Sequence, residues 1–331
     1  MKAPPLVDRY GRRVRTLRIS LTEHCNFRCT YCMPPEGLSA SPRSSHLTLD
    51  RLEQIVRTTC DMGVDRYRLT GGEPMLRPDI LEIVERLRAI ETVRELSMTT
   101  NGSLLAHKAV ALRAAGLDRV NISLDSLDKE RFNQVTRSRL YEHVREGVEA
   151  AIAAGFPVKI NVVVMVGMTV GEILDFVELA VERALEVRFL EFMPLCGSAW
   201  ERSRVLEIGE VRRVVAERFE LEEIPRDGHP AQVFRVAGAR VGFIAPLSEP
   251  FCEDCSRIRM SSDGRIQPCL FDNGSHDLRP ALVVGNSELA AAIRDAVWRK
   301  SAGSQFREAP LGSDAETEYS IDGPMIRHIG G

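Results

Sequence analysis

The stretch CNFRCTYC, residues 25–32, carries three thiols, Cys25, Cys29 and Cys32, at the spacing C-x3-C-x2-C. It directly follows an apolar run, residues 17–21, that predicts a strand. Structural zinc sites take four ligands, usually in two pairs, and this spacing fits that pattern poorly. Three close cysteines suit a four-iron cluster, in which three irons take one thiolate each and the fourth iron stays free. We therefore predict an iron–sulfur site in the loop after this strand, with the chemistry at its free iron.

Short apolar strands alternate with amphipathic helices around this loop. Six strands are predicted, at residues 17–22, 66–70, 96–100, 119–124, 158–165 and 187–192. Five helices are predicted between them, near residues 49–62, 78–90, 104–115, 141–154 and 171–184. Repeated strand–helix units predict an α/β fold with a parallel sheet. Six units are too few for a closed eight-stranded barrel, which leaves a partial barrel or an open doubly wound sheet.

Side-chain alternation along the strands favours the partial barrel. Successive residues of a strand face opposite sides of the sheet. In the first strand Leu17 and Ile19 share an apolar face, opposite Arg18 and Ser20. Polar residues also share one face in four further strands: Arg68 and Thr70, Ser97 and Thr99, Asn121 and Ser123, Lys159 and Asn161. A complete barrel fills its centre with apolar side chains, so a polar inner face predicts a partial, six-unit TIM-type barrel with an open lumen.

The strand–helix rhythm stops after Pro194. A helix at residues 208–219, short β-like runs at 233–236 and 241–244, and a helix at 288–300 predict a C-terminal α+β extension. We expect two domains, residues 8–200 and residues 201–331.

The extension carries a second cysteine group, Cys252, Cys255 and Cys269. Half of a zinc ribbon or a redox dithiol shares part of this spacing, but no fourth ligand with a pairing pattern follows. We interpret the group as the ligands of a second iron–sulfur cluster, also with an open iron. Cys60 and Cys196 stand alone and are interpreted as ordinary small residues.

Five cations are expected to meet in the lumen: Arg18, Arg68, Lys159, Arg257 and Arg259. Such a cluster is costly unless an anion neutralises it, and guanidinium groups match phosphate geometry. The cluster therefore predicts a triphosphate ligand. The anion site is local, because 44 Lys and Arg against 47 Asp and Glu give a net charge of −3 and no general attraction to nucleic acid.

Neither a signal peptide nor a membrane span is predicted. The first residues lack an apolar core of the signal-peptide type, and the sequence contains no apolar run of 18 residues. We therefore expect a cytoplasmic protein, in which grouped cysteines are metal ligands rather than disulfides.

The sequence GGEP, residues 71–74, follows the second predicted strand, at the end where parallel α/β proteins place active sites. Together with the cysteine loop it resembles the radical S-adenosylmethionine superfamily, over roughly residues 15–195. The resemblance implies that the free iron binds the amino and carboxylate groups of S-adenosylmethionine. One electron then splits this cofactor into methionine and a 5′-deoxyadenosyl radical.

From about residue 8 to residue 331 the chain is similar to one family within that superfamily, the GTP 3′,8-cyclases of molybdenum cofactor biosynthesis. The similarity lies in the two cysteine groups, in Arg257 and Arg259 after the second of them, and in the terminal Gly330 and Gly331. It implies that the radical removes the ribose 3′ hydrogen of GTP and that C3′ attacks C8 of guanine. The product is 3′,8-cyclo-7,8-dihydro-GTP.

The same resemblance implies roles for individual residues. The first [4Fe-4S] cluster, which cleaves S-adenosylmethionine, is held by Cys25, Cys29 and Cys32. The second, whose open iron meets the guanine base, is held by Cys252, Cys255 and Cys269. The implied contacts to S-adenosylmethionine are Tyr31, Gly72, Ser123 and Met193. The implied contacts to GTP are Arg18, Arg68, Thr99, Lys159, Arg257 and Arg259. Catalysis is implied to be assisted by Arg18, Gly330 and Gly331.

The implied partners are an external one-electron reductant and cyclic pyranopterin monophosphate synthase, which receives the product. We expect a monomer or homodimer that binds neither nucleic acid nor membrane. Two alternatives stay open. One is a radical peptide or protein maturase with an auxiliary cluster, although such proteins usually carry more C-terminal cysteines. The other is a non-enzymatic iron–sulfur electron carrier or a zinc-stabilised binding protein.

Overall fold

The computed structural model of the protein describes residues 4–37, 41–195, 198, 200–226, 229–271 and 274–303. Twelve strands of this part of the chain form one sheet. They are β1 Thr16–Ser20, β2 Arg66–Thr70, β3 Glu95–Thr100, β4 Arg119–Ser123, β5 Val158–Val164, β6 Glu186–Glu191, β7 Glu222–Ile224, β8 Gln232–Val236, β9 Ala239–Ile244, β10 Arg257–Met260, β11 Arg265–Gln267 and β12 His276–Asp277.

The helices are α1 Leu49–Asp61, α2 Ile80–Arg88, α3 Ala109–Ala114, α4 Lys129–Thr136, α5 Tyr141–Ala153, α6 Val170–Glu182, α7 Ile208–Arg218, α8 Arg279–Val284 and α9 Asn286–Trp298. Hydrogen bonds from N-cap side chains mark the start of several of these helices. Thr48 accepts a hydrogen bond from the Arg51 amide at the start of α1, and Thr169 forms a capping box with Glu172 at the start of α6. Within the described residues, no helix combines the length and the apolar character needed to cross a membrane.

The six predicted strands are confirmed as β1–β6, and each pairs in parallel with the next one along the chain. Helices connect them, as expected for parallel neighbours. Leu17, Ile19, Leu69, Ile122 and Ile160 of these strands are fully buried. Each such side chain contributes about 1.5–3 kcal/mol relative to an exposed one, so the helix-covered apolar face carries much of the stability.

The C-terminal strands extend this sheet at both edges. β10 pairs in parallel with β1, and β9 pairs in parallel with β6. The β-like runs predicted at residues 233–236 and 241–244 are confirmed as β8 and β9. The sheet is continuous across residue 200, and the division into domains of residues 8–200 and 201–331 stays a prediction. The pairing of β10 with β1 places Arg257 and Arg259, which follow the second cysteine group, beside β1.

Two helices, α4 and α8, were not predicted. α4 has only eight residues, and just two of them, Phe132 and Thr136, are buried. It begins after Asp128, whose side chain accepts a hydrogen bond from the Arg131 amide. This short polar segment lacks the apolar periodicity that identifies the longer helices.

Candidate active site

Residues near the carboxyl ends of β2–β6 line a cavity of about 280 Å³. Both cysteine groups also line it, at Cys25, Cys29, Cys32, Cys252, Cys255 and Cys269. Among the residues that the structure describes, no three His, Cys, Asp or Glu side chains lie close enough to bind one metal ion. The thiolates of a four-iron cluster each bind a different iron. Three sulfurs on one short loop are therefore a donor set that fits such a cluster.

Hydrogen bonds to a neighbouring helix shape the first cysteine loop. The amides of Arg28 and Thr30 donate to carbonyl groups at the carboxyl end of α4, at 3.0 and 2.9 Å. The Cys32 amide donates to the Cys29 carbonyl at 2.9 Å, which closes a tight turn. α4, which was not predicted from the sequence, thus holds the predicted cysteine loop in place.

The first group of thiols lies in surroundings that disfavour a free thiolate. Burial, followed by the charge of Glu73, raises the pKa of Cys25 to about 11. Burial is also the largest cause that raises the pKa of Cys29 well above its usual value, and the charge of Asp125 is the second largest. Metal binding requires the deprotonated sulfur, so iron would take the place of the proton here. The Phe27 amide already donates to Cys25 Sγ at 3.4 Å, an interaction that also suits a thiolate.

The GGEP turn lies against the segment that leads into the cysteine loop. The Gly72 amide donates to the Thr22 carbonyl at 2.6 Å, and the Glu73 amide donates to the His24 carbonyl at 2.7 Å. A Cβ atom at Gly71, where φ is +151°, would lie 2.5 Å from the Thr22 carbonyl oxygen. One at Gly72 would lie 2.3 Å from the His24 carbonyl oxygen. The two glycines are therefore required by the close approach of the chain itself, whatever ligand also approaches them.

The second cysteine loop is bound by one residue near the start of the described chain and by one near its end. Arg12 donates to the Cys252 carbonyl at 2.8 Å, and Lys300 Nζ lies 3.3 Å from Cys255 Sγ. Burial by itself raises the pKa of Cys255, but the charges of Arg257 and Lys300 outweigh it and lower the pKa to about 6. This thiol is thus ionised more readily than those of the first group, and it favours metal binding at neutral pH.

Four of the five predicted cations line the cavity: Arg18, Arg68, Arg257 and Arg259. Burial lowers the pKa of Arg18 well below its usual value, and the nearby Arg259 and Arg68 lower it further. Burial is also the main cause that lowers the pKa of Arg68 to about 9 and that of Arg259 to about 10. Buried like charges are stabilised when an anion neutralises them. The arrangement therefore favours binding of a multiply charged anion.

Two family profiles match the chain in succession, the Radical SAM superfamily over residues 19–180 and Molybdenum Cofactor Synthesis C over residues 185–306. The chain is 44% identical over 315 residues to the GTP 3′,8-cyclase of Paenarthrobacter nicotinovorans. The alignment covers 89% of this chain and 89% of that protein. The chain belongs to the GTP 3′,8-cyclase family of the radical SAM superfamily.

The chain is also similar to a longer protein. The chain is 42% identical over 302 residues to Molybdenum cofactor biosynthesis protein 1 of Mus musculus, which covers 89% of this chain and 48% of that protein. The chain therefore spans about half the length of this relative. Among solved structures, Streptococcus suis SuiB bound to S-adenosylmethionine matches 90% of this chain and 75% of its own, with a TM-score of 0.60 and 16% identity. That likeness shows a shared α/β radical SAM fold, and the superfamily implies a [4Fe-4S] cluster and S-adenosylmethionine.

In this member of the GTP 3′,8-cyclase family, the four residues predicted to contact S-adenosylmethionine all line the cavity: Tyr31, Gly72, Ser123 and Met193. The Tyr31 hydroxyl donates to Asp125 Oδ2 at 2.8 Å, and Asp125 Oδ1 accepts from the Val163 amide at 3.0 Å. Burial raises the pKa of Asp125 to about 6. This bond ties the first cysteine loop to the ends of β4 and β5, although nothing in the sequence spacing pairs the two residues.

Lys159 does not line this cavity with the four arginines. Its ammonium lies 2.8 Å from Glu186 Oε2, and Glu186 also pairs with Arg188 and Arg240. Burial, followed by the charge of Arg188, lowers the pKa of Lys159 to about 7. Side-chain alternation gives the correct face for Lys159, but it does not reveal that Glu186 is the neighbour in register on β6. The expectation that all five cations meet at one cavity is therefore not met by the described geometry.

Two further residues of the site were not predicted. Arg188 lines the cavity, and its alternation with the buried Val187 and Phe189 on β6 is a signal that could have identified it. Glu73 is fully buried and accepts hydrogen bonds from the Met75 amide, the Thr100 hydroxyl and the Asn101 amide, at 3.0, 2.8 and 2.7 Å. Burial raises its pKa to about 7. Glu73 thereby joins the GGEP turn to the end of β3.

The remaining predicted site residues have different outcomes. Thr99 lines the cavity. Gly330, Gly331 and the isolated Cys196 lie outside the described residues. Their roles therefore stay predictions from the sequence.

Proposed function

We propose that the chain converts GTP to (8S)-3′,8-cyclo-7,8-dihydroguanosine 5′-triphosphate, the first step of molybdenum cofactor biosynthesis. One observation carries the proposal: a single cavity is lined by the first cysteine loop, by the second cysteine group and by four arginines. A radical source, a second iron site and an anion site would then face one substrate. The names of the relatives agree with this reading.

The proposed fold around this cavity is a partial, six-unit TIM-type barrel with an open lumen. Arg18 on β1 and Arg188 on β6 both line the cavity, although five strand spacings separate them in the sheet. Neighbouring strands lie about 4.8 Å apart, so a flat sheet would separate β1 from β6 by about 24 Å. Curvature around a common centre accounts for their shared cavity. Residues 8–200 are proposed to form this barrel, and residues 201–331 a C-terminal unit.

Cys25, Cys29 and Cys32 are proposed to hold the first cluster, with S-adenosylmethionine bound by Tyr31, Gly72, Ser123 and Met193. When bound, this pair of groups supplies the 5′-deoxyadenosyl radical that removes the ribose 3′ hydrogen. The tasks of the protein are to orient the cofactor and to exclude water. The bond from Tyr31 to Asp125 and the hydrogen bonds of the buried Glu73 hold the loops that carry these residues.

The second cluster is a separate proposal. Cys252, Cys255 and Cys269 line the same cavity, and the low pKa of Cys255 favours the thiolate that iron needs. A cluster with three cysteine ligands leaves one iron open for the guanine base. The same residues would then both bind the substrate and determine which molecule receives the radical.

The triphosphate is proposed to lie among Arg18, Arg68, Arg257 and Arg259, with Thr99 and Lys159 as further contacts. Guanidinium groups bind phosphate oxygens in pairs, and an anion would compensate the repulsion among these buried cations. Lys159 reaches the substrate only if its ammonium leaves Glu186, to which it is bound here. Arg18 and the terminal Gly330 and Gly331 are proposed to assist catalysis.

Other parts of the proposal rest on the sequence alone. They are the external one-electron reductant, the transfer of product to cyclic pyranopterin monophosphate synthase, the state of monomer or homodimer, and the cytoplasmic location.

Anaerobic incubation with GTP, S-adenosylmethionine and dithionite tests the function. The product is an isomer of GTP, because the hydrogen lost to the radical is replaced by one electron and one proton. We expect a new species of the same mass as GTP and a different retention time, together with 5′-deoxyadenosine. A Cys25→Ser variant should form neither. Formation of 5′-deoxyadenosine without any GTP-derived product would favour a radical enzyme with another substrate, and absence of both would refute the proposal.

A further inference from the structure

Lys300 is a lysine with almost no exposure to solvent. Only 1% of its surface is accessible, and lysine is almost never buried to this extent unless it is paired. It lies two residues after the end of α9, and its amide donates to the Val297 carbonyl at 3.0 Å. Among the residues that the structure describes, no carboxylate forms an ion pair with it. Its charge therefore needs another partner.

The ammonium of Lys300 contacts only the second cysteine loop and the strand after it, within the described part of the chain. It donates to the Cys255 carbonyl at 3.1 Å and to the Arg257 carbonyl at 2.8 Å. It also lies 3.3 Å from Cys255 Sγ. The sulfur is the one group among these that becomes an anion when it binds iron.

A second basic residue binds the other end of the same loop and provides a contrast. Arg12 donates to the carbonyl groups of Cys252 and Ala302, each at 2.8 Å. Unlike Lys300, Arg12 has a carboxylate partner, because its Nε lies 2.6 Å from Asp8 Oδ2. The charge of Arg12 is thus balanced inside the protein, whereas the charge of Lys300 faces the sulfur.

We propose that Lys300 is a positioning residue for the second cluster. Its ammonium fixes the Cys252–Cys255 loop and donates to the sulfur of Cys255 when that sulfur binds iron. Hydrogen bonds to cluster sulfurs and nearby charge set the reduction potential of such clusters. A reduced cluster carries one more negative charge, so the ammonium favours the reduced state and raises the potential. The inference rests on the proposed second cluster.

The test uses full-length protein reconstituted with iron and sulfide under anaerobic conditions. Cys25, Cys29 and Cys32 are changed to Ser in one background, so that only the second cluster contributes to the electron paramagnetic resonance signal. In this background Lys300→Met removes both charge and hydrogen bonds, and Lys300→Gln keeps a neutral donor. Arg299→Met is the matched control, since Arg299 is the residue before Lys300, lies at the surface and pairs with Asp295.

Lys300→Met should shift the midpoint of a reductive titration to a more negative potential. It should also retain iron against a chelator about 10-fold to 100-fold less well, the loss typical of removing an outer-sphere partner of a metal site. Lys300→Gln should show the shift in potential with a smaller loss of iron. Arg299→Met should match the parent in both measurements.

A measurement on the parent protein keeps the inference testable if the variants do not fold. Protein labelled with ¹⁵N at lysine should show a weak nitrogen coupling to the reduced second cluster in pulsed hyperfine spectra recorded without GTP. No such coupling, or a Lys300→Met variant with unchanged potential and iron retention, would overturn the role of Lys300. If the cysteine-to-serine background binds no cluster while the wild type binds about four irons, the second cluster itself fails, and this inference fails with it.

Discussion

Arg18 on β1 lies directly opposite Arg259 on β10 in a parallel strand pair, and Arg68 on β2 lies opposite Arg18 on the other side. Three strands thus place three half-buried arginines in one row. One of them comes from the C-terminal part of the chain and two come from the first half. Burial is the main cause that lowers the pKa of Arg18, and the charges of Arg259 and Arg68 lower it as well. The proposed anion site therefore draws its charge from both parts of the protein.

Replacement of Arg259 should weaken GTP binding more than it weakens the iron centres. A hydrogen bond to a charged group is worth about 1.5–3 kcal/mol, so Arg259→Ala should raise the dissociation constant for GTP about 10-fold to 100-fold. Equilibrium dialysis without oxygen measures the effect, with iron content as an internal check. Arg235→Ala on β8 is the control, because Arg235 is exposed and its partner is the exposed Glu222. Equal affinity in the two variants would contradict the proposed triphosphate site.

Inorganic tripolyphosphate should stabilise the protein without any nucleoside. A ligand at 100 times its dissociation constant stabilises the folded state by about 2.7 kcal/mol, because it binds the native chain and not the unfolded one. We expect a rise in the thermal unfolding midpoint that is much smaller in Arg259→Ala. Sodium chloride at matched ionic strength controls for general screening. A rise of the same size with chloride would show that the row has no preference for polyphosphate.

Gly72→Ala should prevent assembly of the first cluster. The added Cβ would lie 2.3 Å from the His24 carbonyl oxygen, so the segment next to Cys25 must move. We expect loss of about four irons per chain on reconstitution and no cleavage of S-adenosylmethionine. The control is Gly209→Ala in α7, where no atom lies within 4 Å of the added Cβ and alanine favours the helix by up to about 1 kcal/mol. Full iron loading in Gly72→Ala would contradict the assigned packing of the GGEP turn.

Glu73 should make the stability of the cluster-free protein fall as the pH rises. Burial raises its folded-state pKa from 4.5 to about 7, so the protonated carboxyl favours the folded state. Its contribution is complete below pH 4.5 and is lost as the pH rises through 7, by roughly 3 kcal/mol in total. Urea unfolding at pH 5 and pH 8 should therefore show a larger loss of stability in the wild type than in Glu73→Gln. The same loss in both proteins would place the titrating group elsewhere.

The first six strands could be predicted because each combines an apolar face with a polar one, a pattern that lies within a few residues. The pairing of β10 with β1 could not, because a run of four residues gives little periodicity and its partner lies some 240 positions away in the chain. α4 was missed for a related reason, since it is short and mostly exposed. Both elements matter for the site, as one carries Arg257 and Arg259 and the other holds the first cysteine loop.

Spacing along the sequence identified the cysteines and the GGEP turn. Alternation identified the four arginines, because it places side chains on one face of a strand. Partners across strands depend on register, which those patterns do not contain. Lys159 was therefore expected beside the arginines although Glu186 binds it, and Lys300 was read only as the end of a helix although it lies against Cys255.

The most direct test of the central claim follows hydrogen from the substrate to the cofactor. GTP carrying deuterium at the ribose 3′ position is incubated with the reconstituted protein, S-adenosylmethionine and dithionite without oxygen. The proposed reaction predicts that 5′-deoxyadenosine gains one deuterium while a cyclised isomer of GTP accumulates. Unlabelled 5′-deoxyadenosine, with the deuterium retained in GTP, would contradict it.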